Sequence, residues 1–210
     1  MLDTDTELFK FEIRQNPKVS DEYVTRLLAT YDPLLARQEI YGEWVDLHEN
    51  RVYHQFDAQH HVMDLSHKLN VRDWPMYMGV DWNLGIMAAV GLCVCPQFIY
   101  VHTELSDSRD VYELRQKLQA LPSPYIYSDA MGSALPRQLL SEAGLRMDGR
   151  RHNPKRVDRY ALVNALLRNA LGQRRLIIHP SCTRLIKDLD TICYKPQSDV
   201  PNDEGGAVGH

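Results

Sequence analysis

The stretch Met76–Val94, MYMGVDWNLGIMAAVGLCV, constrains this chain more than any other. It reads as an apolar strand, Tyr77–Trp82, with Asp81 at its centre, a turn through Asn83 and Gly85, and a second apolar strand, Ile86–Cys93. Desolvating an isolated carboxylate is costly, so a buried strand of this kind is expected to give Asp81 a partner or a metal ion. A third strand, Phe98–Leu105, follows, and a fourth, Tyr125–Ser128, leads directly into Asp129. Two strand-borne carboxylates held side by side repel each other unless a cation lies between them. Asp81 and Asp129 are therefore the candidate metal ligands. Each also has a plainer reading, Asp81 as the acid that caps the Asn83–Gly85 turn and Asp129 as the N-cap of the next helix.

The remaining pattern supplies helices around those strands. Asp110–Leu121 and Leu135–Ala143 read as helices, the second ended by Gly144. Val157–Leu171 is a longer, almost wholly apolar helix ended by Gly172, expected to lie buried against the sheet. Arg175–His179 reads as a further strand, and Ser181–Asp190 as a helix capped by Ser181. Three consecutive strands followed by alternating helix and strand predict an α/β fold, a mixed sheet with helices on both faces. Upstream, Ser20 caps a helix over Asp21–Tyr31, with Val24, Leu27, Leu28 and Tyr31 on one face. Asp32-Pro33 stops it, Leu34–Tyr41 forms a second helix ended by Gly42, and a hairpin-like region turns at Glu49-Asn50 between Trp44 and Phe56.

Composition excludes several classes. No run approaches the roughly 20 apolar residues that span a bilayer, and no signal peptide opens the chain, so no membrane association is expected. No GxxxxGK[ST] phosphate loop occurs. Cys93 and Cys95 are expected on opposite faces of the second strand and unpaired, and with Cys182 and Cys193 they form no CxxC zinc pattern. Free buried thiols in a reducing cytoplasm are the expectation. The net charge of −4 is neutral on nucleic acid, but cations concentrate in Arg146–Arg159, RMDGRRHNPKRVDR, and in Arg174-Arg175. Lys155, Arg156 and Arg159 stand at a helix start, where the dipole disfavours cations, which hints at an anionic ligand. Asp57 with His60-His61 could form a metal cluster, although on an extended linker the two histidines face opposite ways. His102 and Glu104 share a face of the third strand, so Glu104 could approach the metal or form an edge salt bridge.

The order of these elements, with one Asp in the first strand and another ending the fourth, resembles the ribonuclease H-like nuclease fold. In detail the chain resembles the large subunit of tailed-phage DNA-packaging terminases. Asn16-Pro17, Asp21-Glu22-Tyr23-Val24, Tyr31-Asp32 and the run Gln38–Val45 look like the stretch that closes the ATPase part of those proteins. Val52-Tyr53, Phe56 and His61-Val62 stand in the places of the link that follows. Gly79-Val80-Asp81-Trp82 is similar to the first nuclease motif and Ser128-Asp129 to the second. Gly172, Leu176-Ile177-Ile178, Pro180, Cys182, Leu185-Ile186 and Leu189 are similar to the strand and helix before the last motif. The resemblance departs in two places. The ATPase core and its Walker motifs would precede residue 1, and the third acid would follow His210, the histidine of an H..DA..Y motif. The chain is expected to be a fragment or the product of a split or decayed gene.

The resemblance implies two domains, 1–72 as the remnant of the ATPase region with its linker and 73–210 as a ribonuclease H-like nuclease domain truncated before the last motif. It implies a magnesium- or manganese-dependent endonuclease that cuts concatemeric double-stranded DNA by two-metal phosphodiester hydrolysis. Asp81 would bridge two Mg²⁺ or Mn²⁺ ions roughly 4 Å apart and Asp129 would hold one of them. Asp203, Glu204 and His210 are the weaker candidates for the third ligand, and Lys155, Arg156 and Arg159 would contact the DNA backbone. The portal protein and the small terminase subunit are the implied partners, in the host cytoplasm. Two alternatives remain open: a non-catalytic fragment that only binds DNA or packaging partners, and another ribonuclease H-like nuclease such as a resolvase or transposase.

Overall fold

The computed structural model describes residues 9–45, 51–82, 86–122, 124–128, 134–149 and 153–195. In order, the elements are α1 (Asp21–Thr30), α2 (Pro33–Glu39), α3 (Ala58–His61), β1 (Met76–Asp81), β2 (Met87–Val94), β3 (Ile99–Ser108), α4 (Val111–Gln119), β4 (Tyr125–Ser128), α5 (Ala134–Glu142), β5 (Arg146–Gly149), α6 (Arg156–Leu167), β6 (Leu176–Ile178) and α7 (Thr183–Thr191). They fall into two compact units, one from Met1–Gln55, Val157–Arg174 and Ile192–His210, the other from Phe56–Arg156 and Arg175–Thr191. The boundary expected after residue 72 lies inside the second unit. Among the described residues no helix is long and apolar enough to cross a membrane.

In the first unit, α1 begins as the sequence predicts, with Tyr23 N donating to Ser20 Oγ at 3.2 Å. Its apolar face meets α2: Val24, Ala36 and Ile40 are buried, with Leu27, Leu28 and Tyr31 packed around them. Asp32 is 97% buried by its exposure of 3%, and keeps its charge company by accepting from Leu34 N at 2.8 Å and lying 3.0 Å from His54 Nε2. Helix α6 belongs to this unit except for Arg156, which corrects the expectation of a helix belonging with the sheet. Polar anchors that its apolar pattern conceals explain why. Buried Asn164 donates from Nδ2 to Val52 O at 2.8 Å and accepts from Gln55 N at 3.3 Å. Beyond the helix, Asn169 Nδ2 donates to Ala29 O at 2.9 Å. The expected hairpin turns at Glu49-Asn50, which lie outside the described residues; just beyond them Arg51 bridges Cys193 and Val52 N donates to Ile192 O at 2.8 Å.

The second unit is a six-stranded mixed sheet in the order β5-β4-β1-β2-β3-β6. β1, β2 and β3 form an antiparallel meander, whereas β4 lies parallel to β1, β5 to β4 and β6 to β3. Strand alternation turns Met76, Met78 and Val80 to one face, where they pack with Ala89, Ile126 and the buried leucines Leu114, Leu118 and Leu140 of α4 and α5. Full burial of each leucine contributes about 1.5–3 kcal/mol. Gly91 is required beneath this layer, because a Cβ there would sit 2.5 Å from Met78 Sδ and 3.0 Å from Thr103 Cβ. The opposite face receives α7. Glu104 pairs with Val90, one residue from the Ala89–Leu105 pair that faces α4, and its carboxylate accepts from Arg184 N at 3.1 Å and Leu185 N at 2.7 Å. Helices therefore attach to both faces, as the pattern predicts.

Three details differ from the sequence reading. β5, which pairs parallel with β4, is made from the first residues of the cationic run, which had no strand signature. Ser181 does not cap α7; its Oγ lies 2.6 Å from His179 Nδ1, and Glu104 takes the capping role instead. Cys93 and Cys95, expected on opposite faces, are buried together against Tyr100 and Leu65, because residues two apart on a strand share a face. Neither is in a disulfide, and burial beside the Cys95 thiol pushes the Cys93 thiol up to about 12. Cys182 is also buried and free, while Cys193 is exposed.

Candidate metal site

Asp81 is the last residue of β1, the strand third from one edge of the sheet and bordered on both sides. The expectation of a charge buried at the middle of a strand is corrected: Asp81 is exposed, on the face it shares with Tyr77 and Gly79. Its charge therefore carries no burial penalty to offset. Across β2 it pairs with Ala88. On the other side the parallel register runs Tyr77–Tyr125, Met78–Ile126, Gly79–Tyr127 and Val80–Ser128, so β1 and β4 end together. In sequence, Asp81 follows Val80 and Asp129 follows Ser128. Asp129 itself, with Asn83, Gly85, Asp203, Glu204 and His210, lies outside the described residues. Hard carboxylate oxygen at the open end of a strand suits Mg²⁺ or Mn²⁺. Among the described residues no group of three His, Cys, Asp or Glu side chains is placed to hold a metal ion.

The other candidates are engaged in structure. Asp57 and the two histidines form α3 rather than an extended linker. Asp57 Oδ1 caps that helix at Gln59 N, 2.9 Å, and Oδ2 lies 2.8 Å from His60 Nδ1, a pairing that holds the Asp57 carboxyl below its ordinary value. His61 is fully buried, stacked on Phe56 at 5.7 Å, with Nδ1 2.8 Å from Asp57 O. Glu104 is the cap of α7. Lys155, Arg156 and Arg159 are all exposed, one immediately before α6 and two in its first turn. Two features escaped the sequence reading: the capping role of Glu104, whose partners lie some 80 positions on, and a row of tyrosines beside Asp81. Period-two alternation in YIYS was the available signal for the tyrosines.

His102 has Nδ1 3.0 Å from Thr103 Oγ1, while its Nε2 is buried with no hydrogen-bond partner among the described residues. Burial, and then the nearby His179, hold its pKa below 6.5. The folded state keeps this ring neutral and the unfolded state protonates it, so its contribution to stability is present above pH 6.5 and is lost as pH falls below that value. Thermal melts between pH 7 and pH 5 should therefore fall more steeply for the wild type than for His102→Gln. Parallel curves would remove His102 as the cause.

The fold is ribonuclease H-like. It is similar to that of the large terminase from a thermophilic bacteriophage, with a TM-score of 0.72 and 16% identity over 92% of this chain and 51% of that one. The same large terminase in complex with ATP-gamma-S gives a TM-score of 0.73 at 16% identity, again covering 92% of this chain and 51% of that one. The nuclease domain of the bacteriophage P22 large terminase matches with a TM-score of 0.60 and 9% identity, over 75% of this chain and 86% of that one. The chain spans about half the length of the first of these proteins. No family model matches the sequence. No curated protein sequence matches it either.

Proposed function

We propose that this chain is the metal-dependent endonuclease region of a phage DNA-packaging large terminase, acting on double-stranded DNA. The observation that carries the reading is the end of the β1–β4 pair, where Val80, the residue before the exposed Asp81, pairs with Ser128, the residue before Asp129, on a fold similar to a terminase nuclease domain. Asp81 and Asp129 would hold Mg²⁺ or Mn²⁺, with His210, Asp203 or Glu204 as the source of a third ligand. Two such ions, when bound, activate the attacking water and stabilise the leaving 3′ oxygen. Asp81, exposed at the end of β1, would hold the ion that meets an incoming phosphodiester. Lys155, Arg156 and Arg159 would contact backbone phosphates and set the duplex on the domain. The portal and a small terminase subunit are the proposed partners, in the host cytoplasm, with residues 1–72 as the end of the motor region and its linker.

Two measurements test this. Calorimetric titration with Mn²⁺ and Mg²⁺ should show binding that disappears in an Asp81→Asn, Asp129→Asn double variant. Binding without any nicking of supercoiled plasmid would favour the non-catalytic alternative, and neither binding nor nicking would end the proposal. For the cations, replacing Lys155, Arg156 and Arg159 with Ala should weaken duplex binding and make its salt dependence shallower by about 2 to 3 units of slope. An unchanged slope would place the DNA elsewhere.

A further inference from the structure

The sheet face that carries Asp81 also carries an aromatic row. Alternation puts Tyr77, Gly79 and Asp81 of β1 on one face, and the parallel register sets Tyr125 beside Tyr77 and Tyr127 beside Gly79. The Tyr77 ring stacks on Tyr125 with centroids 5.7 Å apart and planes at 27°, and lies 6.2 Å from Tyr127 at 41°. Tyr125 and Tyr127 are open to solvent, 39% and 36% exposed, and Tyr77 between them is half-buried. Among the described residues nothing lies within 4 Å of where a side chain on Gly79 would begin. Bare backbone beside an exposed ring, two residues before Asp81, leaves room for a flat group to lie on the sheet.

We propose that Tyr77, Tyr125 and Tyr127, around the open backbone of Gly79, form a stacking platform for unpaired nucleotides of the DNA strand that leads to Asp81. Every base offers a π face, so rings presented by adjacent strands bind single-stranded nucleic acid with little sequence preference. A glycine between them admits a base or sugar close to the backbone. On the next strand the ladder pairs Tyr125 with Arg146 and Tyr127 with Asp148, one cation and one anion, so recognition at the row falls to the rings. An intact duplex keeps its bases stacked inside and cannot use such rings. A protein segment seated here would find tyrosines bounded by a glycine and an aspartate, rather than the aliphatic core that anchors most interfaces. The identity of the strand rests on the endonuclease reading, but the stacking itself requires no metal.

The test is fluorescence anisotropy of a labelled oligothymidylate of about 12 nucleotides, a length within the range of one single-strand site, measured in EDTA. A Tyr125→Ala, Tyr127→Ala double variant should bind it at least about tenfold more weakly, because each lost base–ring stack is worth fivefold or more. The corresponding Tyr→Phe pair keeps the rings and should stay within about twofold of the wild type. Blunt duplex of equal length should be bound alike by all three proteins. Should the alanine pair lose its circular dichroism, Gly79→Ile decides: a β-branched residue suits the strand but fills the open place, and it should weaken single-strand binding. Unchanged single-strand binding in the alanine pair or in Gly79→Ile overturns the platform, as does an equal loss of duplex binding. A change of oligomeric state with DNA binding intact would make the row a contact between copies of this chain and also overturn it. The endonuclease reading fails separately: a wild type that never nicks plasmid but still binds the oligonucleotide through the tyrosines loses that reading and keeps the platform.

Discussion

Asp81→Asn is expected to lower metal-dependent nicking of supercoiled plasmid by about a thousandfold or more, which corresponds to about 4 kcal/mol of transition-state stabilisation. Asparagine has nearly the shape of aspartate but no charge, and a neutral amide oxygen is a poor replacement for a carboxylate bound to a hard divalent cation. The site is exposed at a strand end, so the substitution removes no buried packing and should leave the melting temperature close to that of the wild type. That combination separates loss of chemistry from loss of fold. The measurement is the appearance of nicked circles in Mn²⁺, in Mg²⁺ and in EDTA, for both proteins, with melts alongside. Nicking that persists in EDTA, or in Asp81→Asn at the wild-type rate, would remove Asp81 from the chemistry.

Glu104→Ala should cost about 2–3 kcal/mol of stability without touching the proposed chemistry. Its carboxylate accepts two backbone N–H groups at the start of α7, 2.7 and 3.1 Å away, and hydrogen bonds to a charged group are worth about 1.5–3 kcal/mol each before solvent screening reduces them. The helix dipole adds to the same preference for an anion at that end. Alanine leaves both amides without their acceptor and leaves α7 tied to β3 by the bond from Arg184 Nη1 to Ser106 O at 3.1 Å. Glu104→Gln retains an acceptor oxygen and should fall between the two. Urea unfolding followed by circular dichroism measures the difference, and a loss below about 0.5 kcal/mol would show that water replaces the carboxylate readily. The burial that pushes the Cys182 thiol up to about 11 is reinforced by the Glu104 charge, so the alanine variant should also bring that thiol down.

Much of the fold was legible because it is carried by local periodicity. The apolar run around Met78 and Val80 marked β1 as a strand, although its reading as wholly buried missed that Met76, Met78 and Val80 face one side and Tyr77, Gly79 and Asp81 the other. Ser20 before Asp21-Glu22, and Asp110 before α4, are side chains that cap their own helices within three residues, so the sequence displays them. Glu104 was not legible, because its capping partners come from α7 and meet it only after the crossover to β6. α6 misled for a related reason: its apolar run predicts burial, yet Val157 and Leu162 are exposed, and the helix is held by the amide of Asn164, which reaches Val52, and just beyond its end by that of Asn169, which reaches Ala29. β5 was hidden among charges, since four residues gain strand geometry by pairing with β4 rather than by propensity.

The amino-acid order alone determined that an α/β sheet would form, that Asp81 would sit on its first strand, and that Asp129 would follow directly on the fourth. These are consequences of side-chain alternation and of chain adjacency, which need no partner. Only the tertiary structure decided that β4 lies parallel to β1 in the register Val80–Ser128, that Asp81 faces solvent, and that three tyrosines gather beside it. Those features arise from hydrogen-bond ladders between segments some 48 positions apart, and a ladder's register is set by which buried faces must match, a condition no single segment contains.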